Sequence, residues 1–483
     1  MVARSLLCSL LTLTFALAGL RPAIARARDA TPEAMTDGVQ VVAAGLTNPR
    51  GFSWSPDGSL YMAMAGSGGE TRIEVAEGFT LQLGLSSSVA TIVDGCATPA
   101  AVGLVSALWV EAGWIWGAMD VAFLDEQPYV LVSGAGPSWL SPSSFSGVFR
   151  MNDDGTMALV ADLTSWLPEH LPEAPLPPDY GSDGSLFDLE AAGDALLLSE
   201  AVGGLLIRVT PEGEISTLAD LSEGHLVPTG IAVDDDGNAF VGFETSPPYA
   251  DGASKVVMVT PDGTVSDAWT GLTAVTDVAI GPDGTLYAAE MGTGNLDEDP
   301  YLRPNSGRVV RQTGPDSLEE ILTDAAYPVT IGFDPEGVLN VAYPAFAPDA
   351  GEGHGAILRV DPSAGSPISL TGFEDLASTC QGGPGSGGDD GTPGAMSSAS
   401  GEDAAVEIAD FAFDPVTVEI PAGTTLNWVN TDRSPHTATS HDGGFDTGRL
   451  DEGGASGVTF DAPGSYAYHC EYHPAMTGTV TVT

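Results

Sequence analysis

The residues between Val39 and Asp361 repeat one pattern of apolar and polar positions. A short apolar run is followed by an Asp-Gly or similar turn and then by a second apolar run. This order is the signal of a β-hairpin. The copies start at Arg50, Met119, Leu186, Thr229, Thr276 and Val329.

Most copies are followed by a third and a fourth strand-like run, as in Leu206–Asp220. Four strands per repeat predict an all-β fold that begins with a six-bladed β-propeller. The sixth copy lacks a fourth strand after Ile357–Val360, and Val39–Leu46 has the pattern of the missing strand. We therefore predict that the N-terminal strand completes the last blade and removes exposed sheet edges.

Composition divides the rest of the chain. Residues 64–115 and 164–184 are insertions in the repeat, and Pro168–Tyr180 is proline-rich, which predicts an ordered surface loop. Residues 381–403 are rich in Gly, Ser, Asp and Pro and predict a flexible linker. A second β domain, residues 404–483, follows.

The second domain carries the candidate chemistry. A thiol, an imidazole and a thioether lie on one short loop at Cys470, His473 and Met476, and His436 lies upstream. A thiolate with two imidazoles and a weak thioether is the ligand set of a mononuclear blue-copper centre. The alternative is a buried thiol beside a surface histidine. His469 and His441 are not expected to be ligands, since His469 alternates with Cys470 onto the opposite strand face.

The motifs around these residues resemble a cupredoxin. They are Phe413-x-Pro415, Pro421-Ala422-Gly423, Trp428-x-Asn430, Pro435-His436 and Gly464-x-Tyr466-x-Tyr468-x-Cys470-x-x-His473-x-x-Met476. The two-residue gap before Met476 is closer to amicyanin than to plastocyanin. The resemblance implies a Greek-key β-sandwich that binds one copper ion. One departure is Thr437, because cupredoxins usually carry there an Asn that helps tie the two ligand loops together.

The repeat region, residues 39–375, resembles the secreted ScyD/ScyE-type propellers, which are related to NHL-like folds. The matching phrases are Asn48-Pro49-Arg50-Gly51, Pro56-Asp57-Gly58-x-Leu60-Tyr61 and Pro228-Thr229-Gly230. The resemblance implies a fold rather than an activity. Asp120, Asp188 and Asp277 occupy equivalent positions of the innermost strands, and Gly51, Gly230 and Thr330 occupy the same position in the other three repeats. The three aspartates are expected either to accept backbone amides at the start of each blade or to form a Ca²⁺ site in the central channel.

Residues 1–25 have the features of a secretory signal: Arg4, an apolar run from Leu6 to Leu20, and a small-residue cleavage site at Ala23-Ile24-Ala25. We expect a secreted or periplasmic protein with no membrane span. Once Cys470 is assigned to copper, Cys96 and Cys380 remain as a disulfide pair or as two free thiols.

The formal net charge of −51 argues against nucleic acid and anionic membranes as partners. It suits a basic redox protein, although simple solubility explains most of the charge.

The leading interpretation is a secreted blue-copper electron carrier whose propeller is a docking scaffold. The region before the linker contains only His170, His225 and His354 as histidines and no catalytic set, which favours a carrier over an enzyme. The alternatives are a propeller dehydrogenase or lactonase coupled to its own copper domain, and an extracellular adhesion module.

Overall fold

The computed structural model describes most of the chain after residue 37. The signal-like residues 1–25 and the linker 381–403 lie outside the described residues. The described ranges are 38–69, 71–76, 79–136, 144–176, 181, 183–297, 301–344, 354–361, 367–373, 376, 380, 404–409, 412–414, 417–431, 436–440, 445–450, 453–460, 462–470 and 477–483.

Nearly all regular structure in these ranges is β. The strands of the first part are β1 (Val39–Leu46), β2 (Pro49–Trp54), β3 (Leu60–Met64), β4 (Thr71–Ala76), β5 (Phe79–Val93), β6 (Cys96–Trp109), β7 (Trp114–Trp116), β8 (Ala118–Leu124), β9 (Gln127–Val132), β10 (Gly147–Met151), β11 (Met157–Asp162), β12 (Leu186–Ala192), β13 (Ala195–Glu200), β14 (Leu205–Val209), β15 (Ile215–Asp220), β16 (Pro228–Val233), β17 (Ala239–Phe243), β18 (Ser254–Val259), β19 (Val265–Leu272), β20 (Val275–Ile280), β21 (Leu286–Glu290), β22 (Gly307–Gly314), β23 (Ser317–Ala325), β24 (Thr330–Phe333), β25 (Leu339–Tyr343), β26 (Gly355–Val360) and β27 (Ile368–Ser369).

These strands form six sheets among the described residues. Three sheets have four consecutive strands each: β8 to β11, β12 to β15 and β16 to β19. A fourth sheet runs from β20 to β23 and gains the short strand β27, which lies parallel to β23. The predicted closing strand is present, since β1 pairs antiparallel with β26 and completes the sheet β24-β25-β26-β1.

The first strands of the six sheets are neighbours in a cyclic order. Contacts join β2 to β8, β8 to β12, β12 to β16, β16 to β20, β20 to β24 and β24 back to β2. Apolar side chains that alternate along the strands fill the space between adjacent sheets. This order brings the start of each repeat to the middle of the six sheets.

Asp-Gly turns connect the first and second strands of three of the six sheets, at Gly58, Gly237 and Gly284. In the first copy Gly58 has a φ of +87°, and the Asp57 carboxylate accepts the Ser59 amide at 3.0 Å. Only glycine adopts this left-handed backbone at no steric cost. The Asp-Gly signal in the sequence therefore has a direct structural cause.

The first insertion extends the first sheet rather than forming a separate unit. Strands β5 and β6 make a long hairpin, and β4 and β7 pair with its end, so this sheet has six strands. The second insertion begins with the short helix α1 (Leu163–Trp166) and a 3-10 turn at Leu167–Glu169. The Asp162 carboxylate caps α1 by accepting the Ser165 amide at 3.0 Å. No helix of the described residues is long and apolar enough to cross a membrane.

Two further sheets form the C-terminal part. Their strands are β28 (Ala404–Ala409), β29 (Ala412–Asp414), β30 (Thr417–Ile420), β31 (Thr424–Asn430), β32 (Thr439–Ser440), β33 (Ala455–Phe460), β34 (Gly464–His469) and β35 (Thr477–Val482). The sheet orders are β29-β28-β31-β33 and β30-β35-β34-β32. One core around Trp428, Phe413 and Tyr468 joins them, as expected of a β-sandwich.

Candidate metal centre

Strand β34 brings Cys470 to the buried end of the C-terminal core. Tyr468 and Cys470 are both fully buried, whereas His469 between them is only half-buried. This alternation is the period of two that the sequence predicts for a strand. The predicted distinction between Cys470 and His469 is therefore visible in the structure.

His436 is held by its backbone. Its amide donates to the Leu450 carbonyl at 3.0 Å, and the Leu450 amide donates back to the His436 carbonyl at 2.8 Å. This two-bond bridge lies outside the regular strands. His436 is completely buried although its neighbours in the chain, residues 432–435, lie outside the described part.

The imidazole of His436 faces the thiol of Cys470. The Nδ1 atom lies 3.7 Å from Sγ, and the backbone amide of Thr437 donates to the same sulfur at 3.4 Å. We call His436, Thr437 and Cys470 the thiol cluster. The other two predicted ligands, His473 and Met476, lie outside the described residues.

This arrangement fits a metal ion that accepts one sulfur and one nitrogen. A first-row metal lies about 2.3 Å from a thiolate and about 2.0 Å from an imidazole nitrogen, so its two ligand atoms are at most about 4.3 Å apart. The observed separation of 3.7 Å falls within that limit and corresponds to a wide angle at the metal. In the described residues no group of three or more His, Cys, Asp and Glu side chains forms a metal site, so a metal ion held by His436 and Cys470 would need further donors.

The aspartates of the repeat region show a different kind of buried polar group. Asp120, Asp188 and Asp277, which we call the inner triad, lie on the first strands β8, β12 and β20. Each accepts a backbone amide of the next sheet in the cycle: Leu189 at 3.0 Å for Asp120, Ile231 at 2.5 Å for Asp188, and Ile331 at 2.7 Å for Asp277. This pattern supports the structural alternative, in which the aspartates join neighbouring sheets.

The inner triad is also linked within itself. The carboxyl groups of Asp120 and Asp188 form a hydrogen bond, and burial followed by the charge of Asp188 raises the pKa of Asp120 and of Asp277 well above the usual range. Beside the triad lies a cavity of only about 10 Å³, room for about one water molecule. Most carboxylate oxygens of the candidate Ca²⁺ site already accept protein donors.

Two glycines give the triad its space. A Cβ atom at Gly51 would overlap the Asp120 carboxylate, and one at Gly230 would overlap that of Asp277. These glycines occupy the equivalent positions on the preceding strands, β2 and β16. Gly51 and Gly230 align with the aspartates in sequence because the missing side chain on one sheet leaves room for the carboxylate of the next sheet.

Two cysteines that precede the linker lie within disulfide distance of each other. Cys96, at the start of β6, and Cys380 have Cα atoms 4.9 Å apart and are separated by 284 residues. The structure thus joins the outer part of the first sheet to the segment that precedes the linker.

Sequence reasoning did not identify three buried glutamates at the ends of second strands. Glu200 accepts the amides of Ser185 and Gly203, and Glu290 accepts the Thr273 amide and pairs with Arg308. Glu244 instead bonds the hydroxyl of Tyr249. Glu244 and Glu290 follow an apolar run directly, and Glu200 follows one after Ser199, so a charged residue at the end of a buried strand was the available signal.

The comparisons with known proteins concern the C-terminal part. The model of the cupredoxin-like domain family matches residues 392–482. Amicyanin-alpha of Methylorubrum extorquens is 35% identical over 82 residues, which are 16% of this chain and 69% of that protein. Amicyanin of Paracoccus denitrificans is 32% identical over 87 residues, which are 16% of this chain and 63% of that protein, a little under two thirds. Plastocyanin of Scenedesmus fuscus is 34% identical over 83 residues, or 14% and 85%.

Proposed function

The chain belongs to the cupredoxin-like domain family through its C-terminal residues, and we propose that this part is a type 1 copper protein that carries single electrons. The observation that carries the proposal is the buried pair of Cys470 Sγ and His436 Nδ1, 3.7 Å apart. A thiolate and an imidazole are two of the three strong ligands of a blue-copper centre. We assign His473 as the second imidazole and Met476 as the weak axial ligand.

Copper held there would supply a one-electron exchange between its cuprous and cupric forms. The chain's own contribution is to position the ligands before any metal arrives. The Leu450 bridge fixes the backbone of His436, and the Thr437 amide orients Cys470 Sγ. The aromatic core around Trp428 and Tyr468 keeps the sulfur away from water. Such preorganisation keeps the geometry of the ligands constant when the charge of the site changes.

For the repeat region we propose a six-bladed β-propeller, residues 39–375, that serves as a docking scaffold. The cyclic contacts of the six first strands and the closing strand β1 support this fold. The saturated carboxylates of the inner triad favour a scaffold over a Ca²⁺ site. We further propose that residues 381–403 link it flexibly to the copper domain, residues 404–483.

The redox partner proposed for the copper domain is a basic protein. From Ala405 to Thr483 the sequence has eleven Asp and Glu residues against Arg433 and Arg449. Opposite charge accelerates encounter, and salt screens it over a Debye length of about 10 Å at 0.1 M. Reduction by a basic cytochrome in stopped flow should therefore slow as salt is added, and a rate that stays flat would contradict this choice of partner.

We also propose that residues 1–25 direct export, which suits the disulfide between Cys96 and Cys380. A bond that closes so long a loop contributes roughly 2–5 kcal/mol in the chain-entropy account. Mass mapping without reductant should recover the linked peptides, whereas two free thiols would refute the bond.

The copper proposal is tested by adding Cu(II) to the full-length protein and recording its visible and paramagnetic resonance spectra. A thiolate-to-copper charge-transfer band should give a blue colour with one copper per chain. Cys470→Ser should lose the band, and His354→Gln, a substitution in the repeat region, should retain it. A colourless wild-type protein that holds Cu(II) would overturn the proposal.

A further inference from the structure

The segment that follows His436 closes on itself through side-chain hydroxyl groups. The hydroxyl oxygens of Thr437 and Thr439 lie 3.0 Å apart, and Thr439 Oγ1 lies 2.9 Å from Asp446 Oδ1. Asp446 Oδ1 also accepts the Gly448 amide at 2.9 Å. We call Thr437, Thr439 and Asp446 the hydroxyl chain. It begins at Thr437, within the thiol cluster, and ends at an exposed carboxylate.

The direction of the bonds in this chain follows from counting protons. Each threonine hydroxyl has one proton to donate, and the Asp446 carboxylate has none. The bond from Thr439 to the carboxylate is charge-assisted and so takes the Thr439 proton. Thr439 Oγ1 thus lies between Asp446 Oδ1 and Thr437 Oγ1, and its contact with Thr437 at 3.0 Å limits rotation of the Thr437 side chain.

The same residue touches the sulfur through its backbone. The Thr437 amide donates to Cys470 Sγ at 3.4 Å, and Thr437 itself is only 2% exposed. A buried residue whose hydroxyl is fixed on one side presents its amide to the sulfur at a defined distance and angle. Hydrogen bonds to a ligand sulfur are among the features that tune the potential of a metal–thiolate site.

We propose that Thr439 is a positioning residue for the copper centre: through the hydroxyl chain it holds the Thr437 amide on Cys470 Sγ and thereby raises the reduction potential. The proposal rests on the copper function proposed above. A hydrogen bond from the amide withdraws electron density from the thiolate. The sulfur then donates less to the metal, and the oxidised form is stabilised less. Loss of the chain weakens that bond and lowers the potential.

The structure offers a matched control for this idea. Thr425 and Thr459 form another pair of threonine hydroxyls, 2.8 Å apart, on β31 and β33 of the same sandwich. That pair is exposed, and neither residue contacts the thiol cluster in the described structure. Removing its hydroxyl tests the general cost of losing a threonine pair without touching the sulfur.

The experiment measures the reduction potential of the full-length copper protein by spectroelectrochemistry. Thr439→Val keeps the shape of the side chain and should lower the potential, as should Thr437→Val. Thr439→Ser restores a hydroxyl and should return the wild-type value, and Thr425→Val should leave it unchanged. If both residues act through the hydroxyl chain, the reduction potential of the double variant Thr437→Val, Thr439→Val should fall no further than that of the more affected single variant.

A second readout does not use electron transfer. Hydrogen exchange measured by mass spectrometry in the copper-free protein should become faster in the peptide that contains the Thr437 amide when Thr439 is valine, and not when Thr425 is valine. A potential and an exchange rate that are unchanged in Thr439→Val would overturn the proposal. A wild-type protein that never forms a blue centre would instead overturn the copper function, so the two failures are distinguishable.

Discussion

The inner triad and the thiol cluster are both buried sets of polar side chains, but they are satisfied differently. Each aspartate of the triad accepts at least one backbone amide of a neighbouring sheet, and Asp277 also accepts the Thr330 hydroxyl at 2.8 Å. In the thiol cluster the candidate ligand atoms of His436 and Cys470 face each other, and the Thr437 amide makes one long hydrogen bond to the sulfur. The triad joins neighbouring sheets through hydrogen bonds. In the thiol cluster, two candidate ligand atoms face the space between them.

This difference teaches how to separate structural from ligand-binding polar groups. A buried carboxylate whose oxygens already accept protein amides loses those bonds if it binds a cation. Two metal-ligating atoms within 4 Å of each other lose little when an ion enters between them. The chemistry of the partners, rather than burial or charge, decides which cluster is a candidate site.

The largest effect we expect comes from filling the space beside the triad. In Gly51→Ala the new Cβ overlaps the Asp120 carboxylate, so this buried side chain has to shift. We expect a loss of about 3 kcal/mol or more in the unfolding free energy of the repeat region, since overpacking is compounded by displacement of a buried carboxylate. Urea unfolding measures it.

Gly181→Ala is the matched control, because among the described residues no atom lies within 4 Å of the place that a Cβ would take at Gly181. It should change stability by less than about 0.5 kcal/mol. Equal stability of Gly51→Ala and Gly181→Ala would mean that the triad does not depend on the shape of its neighbours.

A somewhat smaller effect should follow from removing one triad carboxylate. Asp277→Ala leaves the Ile331 amide and the Thr330 hydroxyl without their acceptor. Each unsatisfied buried donor costs about 1–3 kcal/mol, and relief of the repulsion with Asp188 offsets part of the loss, so we expect about 2–3 kcal/mol in total. Asp194→Ala, which removes an exposed partner of Arg208, should cost below about 1 kcal/mol in the same urea titration. If the two variants are equally stable, the triad is not a structural link.

How much of this could be predicted from the sequence differs between the two regions. The six repeat starts, the closing strand Val39–Leu46 and the alternation that buries Cys470 follow from periodicity and turn residues, which are local. The equivalence of Gly51, Asp120 and Asp277 was also visible. Its structural consequence is that an aspartate on one strand lies beside a glycine on the preceding strand. That arrangement depends on contacts between sheets, which periodicity does not specify.

The proposed copper ligands could be named from the sequence because a short loop carries three of them at fixed spacing. The hydroxyl chain was not, since Thr437, Thr439 and Asp446 are common turn residues whose meaning depends on the fold around them. The same holds for Glu244 and Tyr249, whose contact needs a loop of left-handed residues, among them Thr245 at a φ of +71°. Local sequence does not signal such a loop.

Glu244 gives the next prediction, which concerns pH. Burial raises the pKa of this group from 4.5 to about 7, opposed by the bond from Tyr249. The folded state therefore holds a proton that the unfolded state releases above its own pKa, and this contribution to stability is lost as pH rises from 4.5 through about 7. We expect the unfolding free energy to fall by about 2 kcal/mol from pH 5 to pH 8 on account of Glu244.

Glu244→Gln should flatten this part of the pH dependence, because the amide does not titrate and still offers an oxygen to the Tyr249 hydroxyl. Urea titrations at the two pH values measure it. Glu214→Gln, at an exposed glutamate near a turn, is the control and should leave the slope of stability against pH as in the wild type. The same slope in Glu244→Gln would assign the pH dependence to other groups.

The smallest expected effect is the one that most directly tests the comparison between the two clusters. A ligand stabilises the folded state only if it binds it, by an amount that grows with its concentration over the dissociation constant. Millimolar Ca²⁺ should shift the unfolding midpoint of the repeat region no more than Mg²⁺ or an equal ionic strength of NaCl, since the oxygens of Asp120, Asp188 and Asp277 are already used by amides. Stoichiometric copper should raise the midpoint of the C-terminal domain, and this rise should vanish in Cys470→Ser.

Differential scanning calorimetry of the full-length protein resolves the unfolding midpoints of both regions. A specific rise with Ca²⁺, lost in Asp277→Ala, would show that the triad exchanges its amides for a cation and that saturation by backbone donors does not exclude a binding site.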